Sequence, residues 1–143
     1  MKCEVIINPQ CEERVVIYTR QNNPTVEEIK RIADRNGDGI FGYAGSEIVR
    51  LDPAQIQYVS VMGNKVYAVL ADQKYVLKDR LYVLEEVLPD YFVKINQSCL
   101  ANIGWMERFD TSISGSLKIR FKNGDTDYVS RRQLKAVKER IGI

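Results

Sequence analysis

The sequence predicts a mainly β fold, α+β overall. Short antiparallel strands carry one small internal helix and one C-terminal helix, and a β-β-α extension precedes them. Three observations lead there. Val, Ile and Tyr gather in short runs, the length of strands rather than of helices. Compact turn signals ("MGN", "ADQ", "ISGS" and "NGD") separate these runs, and Asn-Gly is a strong hairpin signal. Only three stretches carry apolar residues at helical spacing. The 143 residues suit one domain, or one domain with an appendage.

In chain order, "CEVIIN" and "RVVIYTR" predict two strands joined by the polar turn "PQCEE". "NNPTVEEIKRIADR" predicts a helix entered at Pro24, with Thr25 and Glu28 as a capping box. Val26, Ile29, Ile32 and Ala33 share one of its faces. "NGDG" stops it, since Asn and Gly accept left-handed backbone angles. "EIVRL", "QIQYVSVM", "KVYAVLA" and "KYVL" are then strands. "DRLYVLEEVLP" is a short helix that lines up Leu81, Leu84 and Leu88 and ends at Pro89. "YFVKI" is a strand, "NQSCLAN" a turn or short strand, and "WMERFD", "LKIRFK" and "TDYVS" are strands. Ser130 and Gln133 have the spacing of a capping box for the last helix, where Leu134, Val137 and Ile141 face one way. Gly142 stands just past its end. Residues 1–45 form the extension and residues 46–143 the β-rich module.

Composition bounds the function. No run of about 18 apolar residues exists, so no membrane span is expected. "MKCEVIINPQ" lacks the layout of a signal peptide, which predicts a cytoplasmic protein. Cys3, Cys11 and Cys99 are odd in number and widely spaced, so thiols are expected rather than a disulfide framework. Histidine is absent, which removes the commonest general base and the commonest zinc ligand. Residues 1–59 hold seven Lys/Arg against nine Asp/Glu, and residues 60–143 hold fourteen against ten. Lys118 to Arg140 alone holds eight against three, which points to a polyanion partner.

"DRNGDGIFGYAGSE", residues 34–47, begins like a calcium loop. An EF-hand takes oxygen ligands from positions 1, 3, 5, 7 and 9 and a bidentate Glu from 12, with Gly at 6. Asp34, Asn36, Asp38 and Gly39 fit, but Gly45 stands where the bidentate Glu belongs. The stretch is expected to be a helix-ending turn. No nucleophile elbow, Walker loop or dinucleotide fingerprint occurs. Asp125 and Asp127 flank a turn and are expected to face solvent, and Cys99 has no histidine to activate it. An enzyme is not expected, nor is a metal or small-molecule cofactor.

What remains is "YFVKINQSCLANIGWMERF", then a hairpin, then "YVSRRQLKAVKERIG". This order resembles the LytTR family of bacterial DNA-binding domains. Phe92, Lys94, Ile95, Ser98, Leu100, Asn102 and Ile103 match its polar stretch, and "VSRRQ" at 129–133 matches the opening of its terminal helix. "LDPAQIQYVSVMGNKVYAVL" and "YVLKDRLYVLEEVLPDYFVKI" resemble its upstream parts, so the likeness spans about residues 48–143. The resemblance implies a sandwich of short sheets whose edge loops enter successive DNA grooves. Carried over by position, it implies contacts from Asn64 or Lys65, from Asn96 and Gln97, and from Arg131 and Arg132. Of the last pair, Arg132 is the better match to a base-contacting position. The family often has His at the first two sites, and this chain has none. Ser98 and Asn102 join them as candidate contacts.

The chemistry of these side chains agrees. Arg can hold guanine O6 and N7 together, and Asn or Gln can hold adenine N6 and N7. Lys65, Lys94, Lys135 and Lys138 would serve phosphates, which position without specifying. Two arginines at a helix N-terminus oppose its dipole, which suggests an external anion. The expected partner is double-stranded promoter DNA, bound by a homodimer in which residues 1–45 help to dimerise the chain. Two alternatives stand beside this: a basic module for an acidic partner or membrane surface, and a calcium-responsive regulator using residues 34–47.

Overall fold

β-Branched and aromatic runs become strands where a neighbour takes up their backbone hydrogen bonds. The computed structural model describes residues 2–12, 14–34, 40–111 and 115–143. Its contacts divide the chain into two units, Met1–Asp38 and Gly39–Ile143.

In the second unit the strands are β1 (Ile40–Ala44), β2 (Glu47–Leu51), β3 (Tyr58–Met62), β4 (Lys65–Val69), β5 (Lys74–Leu77), β6 (Phe92–Asn96), β7 (Cys99–Asn102), β8 (Met106–Asp110), β9 (Leu117–Phe121) and β10 (Thr126–Val129). Helix α2 spans Leu81–Val87 and α3 spans Arg131–Ile141. A seven-stranded sheet runs β2-β1-β5-β4-β3-β7-β6, and a three-stranded sheet runs β10-β9-β8. Every pairing between described strands is antiparallel. The mainly β architecture with an internal and a C-terminal helix is the one the sequence predicts.

Successive strand residues point to opposite faces, and over β3 and β7 the large sheet is buried on both. Tyr58, Cys99 and Ala101 pack with Leu117, Ile119 and Phe121 of the small sheet and with Val137 of α3. Their immediate neighbours Val59 and Leu100 pack the other way, with Ile56, Leu77, Leu84 and Leu88 around α2. Leu134 and Ile141 rest against the first cluster, so the apolar stripe of α3 is spent inward. The Tyr58 ring lies 4.7 Å from that of Phe121, and its hydroxyl donates to Asp125 Oδ2 at 2.7 Å.

The strand Ile40–Ala44 falls where the sequence predicts only the tail of a turn. Its glycine, and those on either side of it, hide it. Gly42 is needed there, because a Cβ would stand 2.5 Å from Tyr75 Cβ and 2.8 Å from Leu51 Cδ1. β3 begins at Tyr58, later than the apolar run suggests. Pro53–Gln55 form a 3-10 turn first, capped by the Asp52 carboxylate accepting from Ala54 N.

The first unit contains helix α1 (Pro24–Asp34). The expected cap at Thr25 is replaced by one two residues earlier: Asn23 Oδ1 accepts from Val26 N at 3.0 Å. The two strands expected before it are not formed among the described residues. Val5, Ile6 and Ile7 are 81%, 77% and 90% exposed, and Val15 and Val16 are also exposed. The composition is that of strands, but among the described residues no strand pairing takes up their backbones. Cys3 and Cys11 are exposed free thiols. Residues 35–39 of the calcium-like stretch lie outside the described residues, as do the first two residues of the expected "ISGS" turn.

Candidate nucleic-acid interface

Three connections meet along one edge of the second unit, and main-chain hydrogen bonds hold them side by side. The Gly63–Asn64 turn joins β3 to β4 and closes on the Met62–Lys65 pair, with Gly63 at φ 65°. The Gln97–Ser98 turn joins β6 to β7. Val61 N donates to Ser98 O at 2.8 Å, fixing that turn beside the end of β3. The third connection is the start of α3. The β6–β7 register shifts between Lys94 and Asn96, so Ile95 has no partner in the ladder. Its carbonyl instead accepts from Ser130 N at 2.8 Å, which ties the head of α3 to the β6–β7 turn.

The candidate residues separate by how their polar atoms are used. Asn64, Lys65, Gln97, Ser98, Arg131, Arg132 and Lys135 are exposed on these connections and on the first turns of α3. Lys94 is half-buried, paired with Leu100. Asn96 is half-buried and occupied. Its Nδ2 donates to Tyr128 O at 2.8 Å and Asp127 Oδ1 at 3.2 Å, and its Oδ1 accepts from Ser98 N at 2.8 Å. It shapes the turn that presents Gln97. Asn102 corrects the sequence expectation outright. It is 3% exposed, donates to Ile56 O at 2.9 Å and accepts from Gly104 N at 3.0 Å. A side chain so buried, with both amide ends bonded inside the protein, has no surface to offer DNA.

Ser130 occupies the expected position at the head of α3, but its hydroxyl makes no cap bond. The first turn therefore carries two exposed arginines without a side-chain cap to offset them. At the other end, the Arg140 guanidinium donates to the Asp90 carbonyl.

Asp125 is exposed as expected and Asp127 is half-buried, and both also hold structural hydrogen bonds. Asp125 accepts from Tyr58 and from Asn123 Nδ2, and Asp127 accepts from Asn96 and from Tyr128 N. Sequence inspection missed Asp127 as the anchor of the β6–β7 turn. The two residues are 31 apart in the chain, and no local pattern links them. Cys99 is fully buried beneath that turn, and burial, with Asp127 beside it, pushes its thiol well above the ordinary range. It stays protonated and has no nucleophilic role at neutral pH. Burial, then the hydrogen bond to Asp125, likewise raises the Tyr58 hydroxyl. Among the described residues no three His, Cys, Asp or Glu side chains gather to hold a metal ion, and no helix is long and apolar enough to cross a membrane.

The family model of the LytTr DNA-binding domain matches residues 46–142. The chain belongs to the LytTR family. A solved LytTr DNA-binding domain, of a putative methyl-accepting/DNA response regulator from Bacillus cereus, superposes with a TM-score of 0.70. The match covers 75% of this chain and all of that one at 16% identity, which is a likeness of fold. Two relatives from Staphylococcus aureus, of strains NCTC 8325 / PS 47 and COL, are each 30% identical over 146 residues, covering 100% of this chain and 99% of theirs. Both are named uncharacterized HTH-type transcriptional regulators. In this LytTR chain the helix at the edge, α3, follows strand β10 directly, so the order there is strand–helix. The family match begins at residue 46, and the contacts divide the chain at Asp38/Gly39, ahead of the β1–β2 hairpin.

Proposed function

We propose that this LytTR protein is a sequence-specific binder of promoter DNA that regulates transcription in the bacterial cytoplasm, by binding rather than by catalysis. The observation that carries the reading is the edge itself. Three connections with exposed Asn64, Gln97 and Arg132 are locked in one row by Val61 N–Ser98 O and Ser130 N–Ile95 O. In this reading those three side chains meet base edges. Arg131, Lys65, Lys94, Ser98 and Lys135 meet the sugar–phosphate backbone. Asn96 acts by holding the β6–β7 turn. The names of the staphylococcal relatives support a regulatory role.

The protein acts as a homodimer, with residues 1–45 as the dimerising extension. The exposed strand-type runs around Val5–Ile7 and Val15–Val16 support this, because a second copy can supply the backbone partners that the single chain does not. Paired half-sites in DNA suit a two-fold assembly.

Selection of bound sequences from random duplexes, with the wild-type chain and with Arg132→Ala, tests the reading. The variant should lose about 1–3 kcal/mol on the selected site and relax the preference at one base position. Unchanged affinity together with an unchanged consensus would remove Arg132 from the interface.

A further inference from the structure

The small sheet and α3 cover one face of the large sheet over β3, β7 and β6. The same face continues across β4, β5, β1 and β2. The register sets Ile48, Tyr43, Val76, Tyr67 and Ser60 in one cross-strand row. Two residues further along each strand come Arg50 opposite Phe41, and Lys65 opposite Met62. Alternation puts all of these on one face. This part of it is open: Phe41 is 49% exposed and Ile48 64%, while Tyr43, Tyr67 and Val76 are half-buried.

The charge on this face has one sign. Lys74 lies two residues before Val76, and Lys78 two residues after it. With Arg50 and Lys65 they make four cations: Lys65, Lys78 and Arg50 lie toward the strand ends beside the Gly63–Asn64 turn, Lys74, opposite Val69, lies toward the other end, and the strand positions Phe41, Tyr43, Ile48, Val76 and Tyr67 of the same face carry no carboxylate. Three of the four lie over rings of the same face. Lys78 Nζ is 4.5 Å from the Tyr43 ring centre, Lys74 Nζ 4.9 Å from Tyr67, and Arg50 Cζ 5.9 Å from Phe41. Each ring steadies its cation by electrostatic attraction and limits the rotamers it explores. The contacts also show that Lys78, past the end of β5, still points to this face.

Val66 pairs with Leu77, so Lys65 and Lys78 follow in neighbouring positions on adjacent strands, about 5 Å apart in the sheet direction. Like charges opposed in this way destabilise a sheet unless something outside neutralises them. Lys65 also comes directly after the Gly63–Asn64 turn. The row of cations therefore begins at the edge that holds the three connections and runs away from it across β5 toward β2.

We propose that this face is a phosphate-tracking surface, which takes the DNA backbone flanking the stretch read by the three connections. It rests on the DNA-binding reading and lengthens its footprint on one side. The polyanion is duplex DNA because the cations are continuous with the reading edge. Lys74 and Lys78 supply charge without base readout, so they add affinity equally on every sequence.

The test is fluorescence anisotropy of the full chain on a duplex carrying the selected site and on one of random sequence, across a potassium chloride series. The Lys74→Gln/Lys78→Gln double variant should bind both duplexes about five- to tenfold more weakly, and its slope of log affinity against log salt should flatten by roughly 2, near 0.9 for each lost phosphate contact. The Lys74→Arg/Lys78→Arg variant, which keeps the charges, should retain the wild-type slope. Trimming the duplex on the flank should weaken the wild type and leave the Gln variant unchanged. Wild-type affinity and slope in the Gln variant overturn the proposal. If Arg132→Ala still loses its base preference in the same series, the DNA-binding reading stands and only this face is excluded. If Arg132→Ala is also unchanged, Arg132 leaves the interface too, and the sequence-specific DNA-binding reading falls if the wild-type chain binds the selected and random duplexes equally. A Gln variant that loses polyglutamate binding but no duplex binding would assign the face to an acidic protein, and would also overturn the proposal.

Discussion

Asn96 and Gln97 are adjacent amides on one turn, and the proposed interface gives them opposite duties. Asn96→Ala removes two donor bonds, to Tyr128 O and Asp127 Oδ1, and one acceptor bond from Ser98 N. A hydrogen bond contributes about 0.5–1.5 kcal/mol net, and water replaces part of it at an exposed edge. Two of the three are at the solvent edge. The expected loss of stability is therefore about 1–2 kcal/mol rather than the full sum. The loosened turn should also weaken DNA binding, by about five- to thirtyfold for the same free energy. Gln97→Ala removes an exposed side chain, so stability should stay within about 0.5 kcal/mol while affinity falls by about 1–3 kcal/mol. Urea denaturation gives the first quantity and anisotropy titration the second. The double variant should lose less affinity than the two singles together, because Asn96 acts through the turn that carries Gln97. If Asn96→Ala keeps wild-type stability yet loses as much affinity as Gln97→Ala, then Asn96 touches DNA directly and the division of duties is wrong.

Other expectations rest on single features. Arg131→Ala and Arg132→Ala should each stabilise the free protein by a few tenths of a kcal/mol, since cations oppose the dipole at the uncapped head of α3. Denaturation midpoints without DNA check this, and a fall in both would contradict it. Gly42→Ala should destabilise by about 1–3 kcal/mol, because the new methyl meets Tyr75 Cβ, which is fixed to its backbone. An unchanged midpoint would show that β1 can move away. Asn102→Ala should be worse, at about 2–4 kcal/mol, because it strands the buried Ile56 carbonyl. Its loss of DNA binding should follow the unfolded fraction, which far-ultraviolet circular dichroism on the same samples measures. Burial raises Cys99 and Tyr58 above their ordinary values, so the neutral forms favour the folded state. That stability is complete below about pH 8.5 and declines as pH rises further, first through the thiol and then through the phenol. The urea midpoint should drop between pH 8.5 and 9.5, and Cys99→Ala should drop less; equal drops would exclude Cys99 as the cause.

The second unit was largely legible because each of its signals is local. "NGD" makes a turn with Gly124 at φ 94°, Gly142 ends α3 at φ 82°, and Leu84 and Leu88 go inward at the spacing that predicts α2. Where sequence inspection failed, the deciding contact was distant. The glycine of "IFGYA" suggests a turn until Tyr75 and Leu51 are seen to need the space at Gly42. The strand runs before α1 have the right residues, but a strand is a pairing, and an isolated two-stranded hairpin is marginal without a further layer to pack on. Helix caps failed for a smaller reason. Asn23 and Thr25 both carry a capping oxygen, and which one caps depends on where the chain enters the helix.

The candidate interface shows the same division at the level of single atoms. Sequence identifies polar side chains in turns, and it cannot say which of them have spent their donors. Asn96 and Asn102 carry the same amide as Asn64, yet their amides are bonded to chain segments 31 to 46 residues away. The side chains left over for an external partner are those whose own turn makes no demand on them. The row of connections is held by bonds between main-chain atoms, Val61 N–Ser98 O and Ser130 N–Ile95 O. None of the tips at Asn64, Gln97 and Arg132 takes part in those two bonds. The tips can therefore change identity while the spacing between them stays fixed. This is a physical reason why a chain without histidine can keep the family's edge and present different chemistry on it.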